Sequence, residues 1–142
     1  MRNVDANVLL HAVNASSPVH PVARGWLDDA LGSTETVGLP WVALLAFLRL
    51  STKEPVFPAP LSIGQSLDVV RGWLAAPNAQ ATHPGPRHSE ILDILLRQSG
   101  TGGNLTTDAH LAAIAIEHGA ELWSFDRDFA RFTGLAFRQL GS

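Results

Sequence analysis

The sequence contains no cysteine, which excludes disulfide bonds, thiolate chemistry and cysteine-type zinc sites. No stretch approaches the ~18 consecutive apolar residues that a membrane span requires. A signal peptide is not indicated either, because Asp5 interrupts the N-terminus before a long apolar stretch can form. These absences predict a cytoplasmic protein that does not insert into a membrane.

Basic residues are also scarce. The chain has 10 basic and 13 acidic residues, a net charge of −3, and Lys53 is its only lysine. A protein that coats nucleic acid by charge alone is usually basic, so this class is disfavoured. The other basic residues are arginines, which bind phosphate in a bidentate manner. This preference fits an enzyme that holds nucleic acid locally, and equally a GC-rich genome that encodes arginine in place of lysine.

What the chain does have is apolar material and a regular order of elements. Its 142 residues are 46% hydrophobic, enough for one packed domain over residues 1–142. Because strand and helix patterns alternate along the chain, we expect an α/β fold with a mainly parallel central sheet. Residues 2–10 are predicted to form a short strand that leads into a turn or helix, and further strands are predicted at residues 36–39, 80–83, 121–125 and 135–140. Helices are predicted at residues 22–31, 41–50, 62–75, 88–97, from Thr106 or Thr107 to Glu117 or His118, and at 128–132.

Three aspartates stand where the site of an open α/β sheet forms, beyond the carboxyl ends of strands near a change in strand order. Asp5 follows the first strand, Asp126 follows a late strand, and Asp108 lies in the first turn of a helix after a glycine-rich loop. Each has a structural alternative. The helix dipole favours Asp108, Asp126 can be a turn or cap residue, and Asp5 could be satisfied by a cation or hydrogen bonds.

Taken together, the three acids favour a metal ion. Neighbouring carboxylates raise one another's pKa unless a cation neutralises them. Oxygen-only ligands suit Mg²⁺ or Mn²⁺, which polarise a phosphoryl oxygen and activate water.

Three segments resemble the PIN-domain family, especially the VapC-type toxins of toxin–antitoxin pairs. Residues 4–10, VDANVLL, are similar to the family's D-x-N-x-L-L opening. Residues 107–115, TDAHLAAIA, resemble its aspartate-bearing helix, and residues 119–129, GAELWSFDRDF, resemble its late strand and turn. The order of these segments and the span they cover make the resemblance fairly specific, and the Pro40–Trp41 region resembles a mycobacterial-type branch.

The resemblance implies a three-layer α/β/α PIN-like domain and a Mg²⁺- or Mn²⁺-dependent endoribonuclease. It implies an RNA substrate, a VapB-type antitoxin that blocks the site, and a homodimer. Carried over by position, Asp5, Asp108 and Asp126 are the catalytic and metal-binding acids. Asn7 and Ser124 match the supporting polar positions, and Asp128 is either an extra metal ligand or a cap of the short helix behind it.

One position departs from the family. Most members carry an acid in the helix after the second strand, whereas residues 41–49 contain none and Ala46 is the equivalent position. A catalytically weakened domain that only binds RNA or antitoxin is therefore the alternative. A phosphotransfer domain ranks last, because it needs a well-placed lysine and Lys53 lies in a proline-rich loop.

Other polar residues carry weaker signals. None of the six histidines has a convincing partner for a metal site in the sequence. Arg49, at the end of an apolar helix, could touch phosphate, pair with a site acid, or simply favour the helix C-terminus. The loop at residues 100–104 lacks the ending of a phosphate-binding P-loop, so we expect a mobile segment beside the site. The tryptophans are expected to anchor the core or an interface.

Overall fold

The computed structural model describes residues 1–141, in which five short strands alternate with helices. The strands are β1 (Arg2–Val4), β2 (Val37–Pro40), β3 (Ala79–Thr82), β4 (Glu121–Ser124) and β5 (Ala136–Gln139). The helices are α1 (Ala6–Val13), α2 (His20–Leu31), α3 (Trp41–Ser51), α4 (Ile63–Leu74), α5 (His88–Ser99) and α6 (Leu105–Glu117), with a short 3₁₀ helix at Arg127–Arg131.

The five strands form one sheet in the order β3-β2-β1-β4-β5, and every pairing is parallel. The predicted α/β class with a parallel sheet is therefore confirmed. The chain builds outward from β1 through β2 and β3, then returns to the other side of β1 to form β4 and β5. The strand order consequently reverses between β1 and β4, where sites of open α/β sheets are found.

Helices cover both faces of this sheet, which confirms the three-layer α/β/α arrangement. Helices α1 to α4 share one hydrophobic core, in which Leu9, Leu44 and Phe47 are fully buried. Helices α5 and α6 enclose a second core around Leu122 and Phe129. Because both faces are covered, β2 is buried along its whole length, as expected for a strand of a parallel sheet.

Helix α6 begins earlier than the sequence predicts. Neither Thr106 nor Thr107 caps it. Its first residue is Leu105, and the preceding Asn104 makes no side-chain capping bond. The amide of Leu105 instead donates to the carbonyl of Gly102 at 3.1 Å, so the glycine-rich loop turns the chain directly into the helix. The two threonines therefore lie inside the first turn, where their side chains no longer reach the free amides.

Three of the four tryptophans pack inside the fold. The rings of Trp26 and Trp123 lie 5.1 Å apart, and that of Trp73 lies 4.8 Å from Phe47. Trp41 is different, with 39% of its surface exposed on α3. Throughout residues 1–141, no helix is both long enough and apolar enough to span a membrane.

Gly38 of β2 provides a test of this sheet. A Cβ added to Gly38 would collide with the side-chain oxygen of Asn3 on β1 and lie 3.1 Å from Cγ2 of Thr82 on β3. All three residues are buried, so the clash has little room to relax. We expect Gly38→Ala to lower the free energy of unfolding by about 2 kcal/mol, measured by urea denaturation.

The control is Gly72→Ala in α4, where nothing lies within 4 Å of the added Cβ. There the substitution should raise stability by about 0.5–1 kcal/mol, since alanine is the better helix former. Equal effects of the two substitutions would contradict the packing described for β1, β2 and β3.

Candidate functional site

The site forms where β1 and β4, from opposite ends of the chain, lie side by side. Asp5 follows β1 directly, and its amide donates to the carbonyl of Trp123 at 3.0 Å. Asp5 is also the N-cap of α1, because its Oδ1 accepts a hydrogen bond from the amide of Ala6 at 2.7 Å. The carboxylate is therefore held at the carboxyl edge of the sheet, at the change in strand order.

The hydroxyl of Ser124 connects the residues around Asp5. Ser124 is fully buried at the end of β4 and donates to Oδ2 of Asp5 at 2.7 Å. Its Oγ also accepts bonds from the side-chain amide of Asn7 at 3.1 Å and from the backbone amide of Asp126 at 3.0 Å. Asn7 in turn accepts from the amide of Phe125 at 3.3 Å. The two polar residues expected beside the acids thus form one hydrogen-bonded group with Asp5.

Asp126 caps the 3₁₀ helix that follows β4. Its Oδ1 accepts a hydrogen bond from the amide of Asp128 at 2.9 Å, which is the capping role weighed for Asp126 in the sequence. Asp128 is therefore not the cap of this helix. Its exposed carboxylate lies 3.9 Å from Nη2 of Arg131.

Asp108 lies between the other acids. From the first turn of α6 it lines two cavities. The first, of about 260 Å³, also includes Asp5 and is called here the α3 cavity, because Val42, Leu45, Ala46 and Arg49 of α3 form its wall. The second, of about 270 Å³, also includes Asp126, Asp128 and Arg131 and is bordered by the glycine-rich loop. The four aspartates thus surround two cavities that share Asp108.

The acids repel one another at neutral pH. Burial and the charges of Asp5 and Asp126 raise the pKa of Asp108 from 3.8 to about 6, and only Arg131 opposes this shift. Burial raises the pKa of Asp5 as well, although its bonds from Ser124 and Ala6 act in the other direction. In residues 1–141, no arginine or lysine forms an ion pair with Asp5, Asp108 or Asp126. Their negative charge is therefore not compensated within the described chain.

These carboxylates do not form a preformed metal-binding site. Across the described 141 residues, no three acidic or histidine side chains come close enough together to count as a formed metal site. Two of the acids have an oxygen committed to capping, Asp5 to Ala6 and Asp126 to Asp128. A carboxylate oxygen accepts more than one bond, however, so both keep capacity for a cation. The donor set of uncompensated carboxylates fits a hard divalent ion that keeps several waters.

Helix α3 contributes no acid to the site. Ala46, which the sequence resemblance matches to an acid of most PIN domains, lines the α3 cavity together with Arg49. That equivalence stays a prediction. The wall at this point consists of a methyl group and apolar neighbours, with one guanidinium at the end of the helix.

Two histidines form a pair that the sequence did not reveal. Nε2 of His88 and Nδ1 of His110 are 2.9 Å apart, and their rings meet edge to face. This contact joins two histidines only, and within residues 1–141 no third acidic or histidine side chain completes a metal site with them. They are 22 residues apart in the sequence, and only the packing of α5 on α6 brings them together. Neither residue lines the cavities at the acids.

Comparison with known proteins agrees with this architecture. The PIN-domain family model matches residues 3–135. Ribonuclease VapC37 of Mycobacterium tuberculosis is 50% identical over 139 residues, which cover 98% of this chain and 96% of that protein. Ribonuclease VapC33 of the same species is 44% identical, with 92% of each chain covered. The crystal structure of VapBC2 from Rickettsia felis bound to a promoter DNA fragment has a TM-score of 0.72 at 16% identity, covering 99% of this chain and 98% of that one.

The chain has a parallel α/β sheet with acids at its switch point, and the PIN-domain family model matches most of its length. The chain therefore belongs to the PIN-domain family. The two relatives, matched over almost their whole length, then identify the VapC-type branch. The resemblance drawn from the three sequence segments is confirmed.

Ser124→Ala tests the hydrogen-bonded group around Asp5. The substitution removes the donor to Oδ2 of Asp5 and the acceptor for the amide of Asp126, and leaves both at least partly buried. We expect a loss of about 1–3 kcal/mol in the free energy of unfolding, measured by chemical denaturation. Ser89→Ala is the control, because Ser89 is exposed on α5. A Ser124→Ala variant as stable as the control would contradict this role.

Asp108→Asn tests the repulsion among the acids. Since its pKa is raised from 3.8 to about 6, the folded state binds a proton more tightly than the unfolded state. Protein in chelator should therefore lose stability as the pH rises through this range. Asp108→Asn should flatten the decline and raise the melting temperature at pH values above about 7, followed by circular dichroism. Asp29→Asn, an exposed acid of α2, should leave the decline unchanged. An identical pH profile for wild type and Asp108→Asn would contradict the arrangement.

Proposed function

We propose that this protein is an endoribonuclease toxin that depends on Mg²⁺ or Mn²⁺ and is controlled by a VapB-type antitoxin. The observation that carries the proposal is the gathering of Asp5, Asp108 and Asp126 around two cavities that share Asp108, with no ion pair from a lysine or arginine to any of them in residues 1–141. The names of the relatives, ribonucleases VapC37 and VapC33, support RNA as the substrate.

Asp5, Asp108 and Asp126 are the residues that would hold the ion. When bound, Mg²⁺ or Mn²⁺ supplies positive charge to the scissile phosphate and promotes attack by water. Ser124 keeps one oxygen of Asp5 in place by its hydrogen bond, and Asn7 positions that hydroxyl. Asp128 is exposed and linked to Arg131, so we assign it a secondary part at the rim of the second cavity.

A partner that covers the acids would stop access to RNA. The structural neighbour from Rickettsia felis is a VapBC complex, which supports a VapB-type antitoxin as the partner of this chain. We propose in addition that the chain works as a homodimer, as the family resemblance implies.

The alternative is a weakened domain that binds RNA or antitoxin without cutting. It is favoured by two observations, the alanine at position 46 in the wall of the α3 cavity and the lack of a formed three-ligand cluster within residues 1–141. Calorimetric titration with Mn²⁺ and Mg²⁺ separates the two functions. Binding of the ion is expected of the nuclease, whereas RNA binding without ion binding at millimolar concentrations would favour the binding module.

Asp5→Asn is the test of the nuclease. The amide keeps the size and the capping oxygen of the aspartate but removes the negative charge. Since loss of groups that merely support a metal ligand costs about 10–100-fold, we expect loss of a ligand to lower the rate of RNA cleavage by more than about 100-fold. The measurement is cleavage of total bacterial RNA in Mg²⁺ or Mn²⁺ on denaturing gels.

Asp29→Asn, which removes an exposed acid that lines neither cavity at the acids, is the matched control and should cleave like wild type. Full activity of Asp5→Asn, or wild-type cleavage that persists in chelator, would refute the metal-dependent mechanism. Wild-type protein that binds RNA but never cleaves it would favour the binding module.

A further inference from the structure

Arg49 is the basic side chain of the α3 cavity. The wall of this cavity combines the carboxylates of Asp5 and Asp108 with apolar side chains of α3 and α6, and Arg49 is the only lysine or arginine among its lining residues. The cavity therefore presents negative and positive groups to the same space. A phosphodiester that approaches the acids from this side would meet the guanidinium.

The charge of Arg49 is not used within the fold. Arg49 and Arg127 are the two arginines that form no ion pair in residues 1–141. In the neighbouring cavity the situation differs, because Arg131 donates to the carbonyl of Asp128 at 3.1 Å and lies near its carboxylate. Of the two arginines that line cavities containing Asp108, one is thus engaged and the other is free to bind a ligand.

A purely structural role does not account for the position of Arg49 in this cavity. Placement near the end of α3 complements the helix dipole, but this effect needs no cavity. If the guanidinium served to neutralise Asp5 or Asp108, an ion pair would be expected. No such pair occurs in the described chain, and the burial and repulsion that raise the pKa of Asp108 are opposed by Arg131 rather than by Arg49.

We infer that Arg49 binds a backbone phosphate of the RNA substrate and so positions the strand beside the acids. This inference rests on the proposed nuclease function and names a substrate-binding residue for it. The planar guanidinium can donate two parallel hydrogen bonds to phosphate oxygens. Since α3 brings no carboxylate to this wall, the phosphate meets no negative charge on the helix that carries Arg49.

The experiment compares Arg49→Ala and Arg49→Lys with Lys53→Ala. Lys53 lies four residues further along the chain, is exposed, forms no ion pair within residues 1–141 and does not line the cavity. Its loss changes the net charge by the same amount as the loss of Arg49. The readouts are KM and kcat for cleavage of total bacterial RNA, and the affinity for a mixed-sequence single-stranded RNA oligonucleotide in chelator by fluorescence anisotropy.

Arg49→Ala should raise KM and weaken the affinity by about 10-fold, which is the effect of losing charge-assisted hydrogen bonds, with little change in kcat. The slope of the logarithm of affinity against the logarithm of salt concentration should become shallower by about 0.7, since one phosphate contact to a single strand is lost. Arg49→Lys should lie between Arg49→Ala and wild type, because it keeps the charge and loses the bidentate geometry. Lys53→Ala should resemble wild type, and all three variants should keep the wild-type melting temperature.

Equal losses in Arg49→Ala and Lys53→Ala would overturn the inference in favour of general electrostatics. Unchanged KM and RNA affinity in Arg49→Ala would overturn it while the nuclease stands, and if association with a VapB-type antitoxin is weakened instead, Arg49 belongs to the protein interface. Wild-type protein that neither binds nor cleaves RNA would refute the proposed function itself.

Discussion

The site depends on the parallel pairing of β1 with β4, which joins the two ends of the chain at the centre of the sheet. The amide of Asp5 bonds to the carbonyl of Trp123, and the hydroxyl of Ser124 bonds to the carboxylate of Asp5. These contacts join residues more than a hundred positions apart. Strand β1 is only three residues long. Asp5 is held in place by its bonds to Trp123 and Ser124 of β4 and by its role as the N-cap of α1.

Once the strands meet there, electrostatics governs the site. Asp108 lines both cavities, and burial together with the charges of Asp5 and Asp126 raises its pKa to about 6. A fold would not keep such an arrangement for stability, because neutral side chains would pack there without repulsion. A bound cation would relieve this repulsion, and Arg49, which forms no ion pair within residues 1–141, is the residue proposed to contact the anionic substrate beside it.

Much of the architecture was predictable because it follows local rules. Alternating strand and helix patterns indicated a parallel sheet covered on both faces, and both features are present. The three segments around Asp5, Asp108 and Asp126 indicated the family, which the comparisons confirm. Their role as metal ligands stays a prediction. Less local features were missed. The sequence predicts a threonine cap for α6, but the helix begins at Leu105 and both threonines lie inside its first turn. The contact between His88 and His110 has no signal along the chain.

The sequence by itself determined which residue types follow each strand and where most of the helices run, and it predicts that Ala46 takes the place of an acid of the family. Hydrophobic periodicity and short motifs carry this information, because they act over a few neighbouring residues. Only the tertiary structure decided that Ser124 bonds to Asp5, and that Arg49, which forms no ion pair within residues 1–141, lines the same cavity as Asp5 and Asp108. Those relations arise from the packing of distant elements, and a contact across more than a hundred residues leaves no periodic trace in the chain.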